Sequence, residues 1–290
     1  MTTPFLFCFG LGYSAQALAK LLLPLGWRVA GTCRSAQKAV QLRQQSIEVC
    51  VMDNVHALQP PYPFADASHI LHSIPPGEES DPVFHLHEAI ATHAALEWFG
   101  YLSTTGVYGD HQGEWIDETT PPNPGQERSR QRLNAEKHWL ATNLPVHLFR
   151  LSGIYGPGRS VLDGIRQGTA RRIDAPGQVF SRIHVADIAA ILLASIKKPF
   201  PRRIYNCADD VPALQSDVVA YGCTLLGVPP PPEIPLAEAA LSPMARSFYT
   251  ECRRVRNSRI KEELGVILQY PDYRLGLQAI LEAERINKNG

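Results

Sequence analysis

Residues 5–23 read FLFCFGLGYSAQALAKLLL. The first five are apolar and stop at a glycine, the pattern of a strand buried on both faces. From residue 14 the apolar positions recur at helical spacing, so a helix follows with only a glycine-rich turn between. Gly10 permits that turn, Gly12 lets the backbone approach a pyrophosphate, and small Ala15 allows close helix–strand packing. Tyr13 and Ser14 open a helix whose free N–H groups and partial positive charge suit a phosphate. Such a turn is expected to bind a dinucleotide. The alternative is a plain strand–turn–helix, and the downstream pattern weighs against it.

That pattern alternates. Strands are expected at 28–33, 47–52, 70–73, 99–103 and 146–151, and helices at 35–45, 82–97 and 126–142. Residues 183–207 add one more helix and a strand that returns to the sheet. Strands separated by helices form parallel βαβ units. The fold class is therefore α/β: a Rossmann-type, doubly wound parallel sheet with a smaller, mostly helical C-terminal substrate lobe. The dinucleotide-binding part spans 1–155, with 177–207 returning to it, and the lobe spans 156–290. Prolines in VPPPPEIPL, residues 228–236, point to an irregular surface crossing.

Bulk properties exclude several classes. The 290 residues include 28 basic and 28 acidic side chains, so no net field draws the chain to nucleic acid or to an anionic membrane. No apolar run approaches the roughly 18–20 residues of a membrane span. Six scattered cysteines and an N-terminus without a basic leader point to a reduced, cytoplasmic setting. His85, His87 and His93 share one expected helix but lack the i, i+4 spacing of a helical zinc site, so no metal is expected.

The second strand bears on cofactor choice. An acidic residue there would take an adenosine 2′-hydroxyl, whereas arginine suits a 2′-phosphate. The sequence runs Thr32-Cys33-Arg34-Ser35, with no carboxylate. Arg34 can fork onto phosphate oxygens and Ser35 can add a hydroxyl, which favours NADP(H) over NAD(H). A solvated arginine at a strand end is the plainer alternative. Asp53, after the third strand, either faces the adenine or caps a turn.

Three further segments, LSTTGVYG (102–109), FRLSGIYGPG (149–158) and SRIHVADI (181–188), resemble the extended branch of the short-chain dehydrogenase/reductases. Within it they look like the NAD-dependent epimerase/dehydratase group, close to its atypical YeeZ-like members. IYNCAD (204–209), and Glu263-Leu264-Gly265 near Tyr270-Pro271, are similar too. The resemblance implies an NAD(P)-binding oxidoreductase or epimerase acting on a small sugar-like or nucleotide-linked alcohol or carbonyl. It implies that Ser73, Ile74 and Pro75 border the nicotinamide half of the cofactor, and that Thr104 bonds the reacting oxygen. Tyr155, Arg159, Arg182 and His184 fall near the cleft mouth as substrate-facing candidates. It also implies a homodimer formed through 82–97 and 126–142.

One departure from the family is chemical. Relatives carry Tyr-x-x-x-Lys on the helix after this strand, with a glutamate four residues on. Glu136 fits the glutamate, which puts Arg132 at the lysine position and Arg128 at the tyrosine position. The family's tyrosine works because its lysine lowers the phenol pKa, whereas arginine stays protonated and cannot be the base. Arg132 can still bond a ribose hydroxyl. Arg128 can bind an anionic substrate group or stabilise developing charge. The alternatives are two solvated arginines and, for the protein, a catalytically inactive NADP(H)-binding sensor.

Overall fold

The computed structural model describes residues 3–52, 58–78, 80–92 and 96–289. Asp53 and His93 lie outside them. The central sheet has strands β1 (Phe5–Phe9), β2 (Arg28–Cys33), β3 (Glu48–Val51), β4 (His69–His72), β5 (Trp98–Thr104), β6 (Val146–Leu151) and β7 (Ile204–Cys207). Their order is β7-β6-β5-β4-β1-β2-β3, with every neighbouring pair parallel. The strand order reverses beside β1, and ligands of doubly wound sheets bind at the carboxyl ends there.

The pleat of β1 explains why it is apolar throughout. Leu6 and Cys8 join a core layer with Leu18, Leu22, Ile188 and Leu192. Phe5, Phe7 and Phe9 face the other way, into a layer with Phe64, Phe99 and Trp139. Alternate side chains thus serve two different cores. The first layer is closed by helices α1 (Tyr13–Leu22) and α4 (Val185–Lys197), the second by α3 (Glu127–Ala141). Helix α2 (Ala36–Arg43) links β2 to β3.

The lobe gathers α5 (Gln215–Leu226) and α6 (Tyr273–Asn289) around Tyr155, Leu162, Val218, Tyr273 and Leu277. One short parallel pairing ties it to the sheet domain, Trp115–Ile116 beside Arg254–Val255, while Gly153–Tyr155 runs beside Arg182–His184 at the lobe's edge. Two expectations need correction. Residues 82–97 do not form one long helix: a 3-10 turn at Phe84–Leu86 leads into His87–Ala91, and β5 already begins at Trp98. Among the described residues of this stretch, Val83, Leu86 and Ile90 are the fully buried apolar positions, a stripe about two turns long. The proline-rich crossing is not wholly irregular either. Glu233–Pro235 pairs with Arg172–Asp174, where an edge position tolerates proline.

At Gly31 the first two strands cross closely. A Cβ there would lie 2.4 Å from the Cys8 carbonyl oxygen and 2.9 Å from the Leu11 side chain. The strands and the turn between them would have to shift. Gly31→Ala is expected to lower unfolding free energy in urea by roughly 1–3 kcal/mol, whereas Gly26→Ala, beside open space at a helix end, should cost about 1 kcal/mol from its positive φ alone.

Candidate functional site

The turn after β1 is fastened from three sides. The Gly10 amide donates to Thr32 Oγ1 at 2.9 Å, and the Leu11 amide to the Thr32 carbonyl at 2.7 Å. Ser73 Oγ donates to the Gly10 carbonyl at 2.5 Å. Gly10 has φ +87°, and a Cβ there would meet Ile74 Cγ1 at 2.8 Å. Gly12 differs, because a Cβ at its position would meet nothing within 4 Å. It is also the N-cap of α1, offering no capping side chain, and the first turn of α1 carries no acidic residue. Uncapped N–H groups beside open space suit an anion. Gly10, Ala15 and Ile74 shape the turn without lining the opening, while Gly12, Tyr13 and Ser14 face it.

That opening leads into a cleft of about 1170 Å³ between the sheet's carboxyl edge and the lobe. Ser73 and Pro75 line it after β4, and Thr104 lines it at the end of β5. Arg128 and Arg132 enter from α3, and Tyr155, Arg159 and Arg182 from the lobe side. Arg34, Ser35 and His184 are not in its wall. Arg34 is exposed just past β2, and Ser35 caps α2 by accepting from the Lys38 amide at 3.3 Å.

Several contacts limit what each side chain can do. Thr104 Oγ1 accepts from the Gly106 amide at 3.1 Å, which leaves its own O–H to donate. Arg132, half-buried, donates to the Leu102 carbonyl at 2.8 Å. Arg128 is exposed, with its guanidinium 4.5 Å from the Phe248 ring centroid and 3.0 Å from Ser247 Oγ. Glu136 is fully buried and grips Arg150 through both oxygens, at 3.1 and 2.7 Å, while Ser103 Oγ donates to it at 2.5 Å. At i, i+4 and i+8, Arg128, Arg132 and Glu136 form one stripe of α3 running from solvent to core. The helix, ERSRQRLNAEKHWLA, contains no tyrosine.

The lobe candidates turn out to be mainly structural. Tyr155 donates to the Asp272 carbonyl at 3.3 Å, and burial, with Asp209, Asp187 and Asp272 nearby, pushes its phenol far above neutrality. Its hydroxyl proton is directed at that carbonyl. His184 caps α4 by accepting from the Ala186 amide at 3.2 Å, and burial drops its pKa to about 4. Arg182 donates to the Phe180 and Ala213 carbonyls and to Gln215 Oε1. Arg159 remains exposed near the Tyr13 ring, whose hydroxyl reaches the Pro157 carbonyl at 2.9 Å.

Sequence reasoning missed the far wall. Residues 241–253 supply Ser247, Phe248, Tyr249, Glu251 and Arg253, and Glu251 pairs with Arg253 at 2.9 Å. Their segment holds one short helix, Pro243–Ser247, and carries no motif. Arg150 was more legible, since an arginine inside an apolar strand requires a buried partner. Among the described residues no His, Cys, Asp or Glu cluster could hold a metal, and no helix is long and apolar enough to cross a membrane.

Over 285 residues the chain is 30% identical to the protein YeeZ of Escherichia coli K12, covering 91% of this chain and 95% of YeeZ. The chain belongs to that family, within the extended short-chain dehydrogenase/reductases. No protein-family model matches the sequence. A conserved protein of unknown function from Silicibacter pomeroyi is 48% identical, with TM-score 0.89 over 97% of this chain and 99% of that one. A Methylobacillus flagellatus protein placed among NAD-dependent epimerases/dehydratases is 26% identical, with TM-score 0.72 over 98% and 100%. Solved chains only 16–19% identical share the fold of this chain, and they include complexes with NAD and with NADPH.

His69, His147 and His184 are each drawn down to about 4 by burial, from an ordinary 6.5. They are neutral in the fold, while the unfolded chain takes up protons first. Their stabilisation is therefore complete above pH ~6.5 and is lost as pH falls towards 4. Each contributes on the order of 1–3 kcal/mol. Urea unfolding at stepwise pH should show stability dropping across that window, and a flat profile would contradict the burial of these rings.

Proposed function

We propose that the cleft binds a nicotinamide dinucleotide, NADP(H) in preference to NAD(H). The carrying observation is the turn from Gly10 to Ala15, where uncapped amides open onto space at Gly12 that no protein atom fills. The second ligand is a small sugar-like or nucleotide-linked alcohol or carbonyl, and the reaction class is oxidoreduction or epimerisation. A bound nicotinamide supplies or accepts hydride. The protein's own part is positioning. Thr104 donates its free O–H to the reacting oxygen, and Arg132, braced on the Leu102 carbonyl, turns its remaining donors to a ribose hydroxyl. Arg128 meets negative charge on the substrate side. Arg34, exposed with no carboxylate beside it in sequence, takes the 2′-phosphate with Ser35 near by.

A second reading, an NADP(H)-binding sensor without turnover, is favoured by one observation. Helix α3 offers no phenol, and the cleft phenol that sequence suggested, Tyr155, is bound to backbone and held protonated. A homodimer across α3 would be polar, since Glu127, Arg130, Asn134 and Lys137 form its exposed face.

Fluorescence titration with NADPH and NADH tests the cofactor. Arg34→Ala should weaken NADPH about tenfold to a hundredfold, the worth of a charged hydrogen bond, and leave NADH nearly unchanged. Gly12→Val should abolish both by filling the opening. Equal losses for the two coenzymes in Arg34→Ala would refute the NADP(H) preference. Oxidation of bound NADPH across a panel of carbonyl compounds then separates enzyme from sensor.

A further inference from the structure

The cleft is much more positive than the chain. Six arginines line it, Arg128, Arg132, Arg159, Arg171, Arg182 and Arg253, against a single carboxylate, Glu251. The whole protein has 28 basic and 28 acidic residues. Glu251 is already matched by Arg253 at 2.9 Å. Arg132, Arg171 and Arg182 spend donors on backbone carbonyls. Arg159 lies by Tyr13, at the end nearest the α1 amides. Like Arg132, Arg159, Arg171 and Arg182, Arg128 pairs with no carboxylate among the described residues, and it is the way the side chain is held that sets it apart. Phe248 supports one face of its guanidinium and Ser247 Oγ takes one donor, so the fork is held in place with most of its N–H groups unused.

Its location is informative. Arg128 precedes Ser129, and a Cβ on Gly106 would touch Ser129 Oγ at 2.8 Å and Thr104 Oγ1 at 3.3 Å. The first turn of α3 is thus packed against the end of β5, where Thr104 sits. A planar, fixed guanidinium lining the same cleft as a hydroxyl donor suits a carboxylate on a substrate that also carries an alcohol or carbonyl carbon.

We infer that the substrate is a hydroxy or keto acid whose carboxylate docks on Arg128 while its neighbouring oxygen faces Thr104. This rests on the reading of the cleft as a nicotinamide site, and it names the substrate class of that site. The cationic lining concentrates anions there and disfavours neutral polyols. Arg128 is then a binding group that fixes orientation and replaces no proton carrier.

The test uses four probes with a common three-carbon frame: glycerate, glyceramide, glycerol and glycerol 3-phosphate. Each is titrated calorimetrically into the full chain, with and without NADPH. Glycerate should bind at least about tenfold more tightly than glyceramide or glycerol, consistent with a charge-assisted bond. Arg128→Ala should erase that preference and Arg128→Lys should keep part of it, both with unchanged melting temperatures. Equal binding of glycerate and glyceramide, no glycerate binding, or a preference that survives Arg128→Ala would overturn the inference. Tighter binding of glycerol 3-phosphate than glycerate would overturn the carboxylate assignment in favour of phosphate. Loss of NADPH binding with the anion preference intact would sink the nucleotide reading alone.

Discussion

The ion pair between Glu136 and Arg150 fixes the geometry of the site. Both side chains are almost wholly buried, Arg150 stacks 4.7 Å from the Tyr108 ring, and Ser103 closes the remaining acceptor. Burying two charges costs several kcal/mol each, and only near-complete hydrogen bonding offsets that. A pair this demanding tolerates little displacement. It joins α3 to β6 through Arg150 and to β5 through Ser103, so the helix cannot rotate without breaking bonds to two strands. Arg132 and Arg128, one and two turns back along the same stripe, inherit their positions from it.

The glycine turn is built by the same logic with different parts. Thr32, Ser73 and Gln16 consume the polar groups of Gly10 and Leu11, which leaves the helix amides as the unsatisfied donors of the segment. Rigid backbone on one side and vacant volume at Gly12 on the other make a receptor that needs little rearrangement to fill. The excess of arginine sits opposite, on α3 and the lobe, so two poles of positive potential face one space.

Much of the fold was legible because β1 is an uninterrupted apolar run that stops at Gly10, and β2, β5 and β6 are short, mainly apolar segments alternating with stretches of helical spacing. Their strand limits follow from that pattern within a residue or so. Residues 82–97 misled because three apolar positions at helical spacing mimic a longer stripe. The inner wall of the cleft was legible for a related reason, since Gly12 caps the helix that follows β1 and Thr104 ends β5. The outer half was not. Phe248, Glu251 and Arg253 reach the cleft through tertiary packing of a segment whose local sequence carries no period. Roles also shifted with burial: His184 and Tyr155, expected from the resemblance as substrate-facing candidates, both bond backbone in the fold.

Arg254–Val255 lies as a parallel strand beside Trp115–Ile116, and Cys252 accepts two amides from residues 111 and 113. The lobe is therefore laced into a loop of the sheet domain well beyond the peptide bonds that connect them. A chimera taking its C-terminal third from a cousin would inherit half of this seam and leave the other half facing a stranger. Recombination within the family should thus succeed where the 109–116 loop travels with residues 241–255, as one inheritable packing unit.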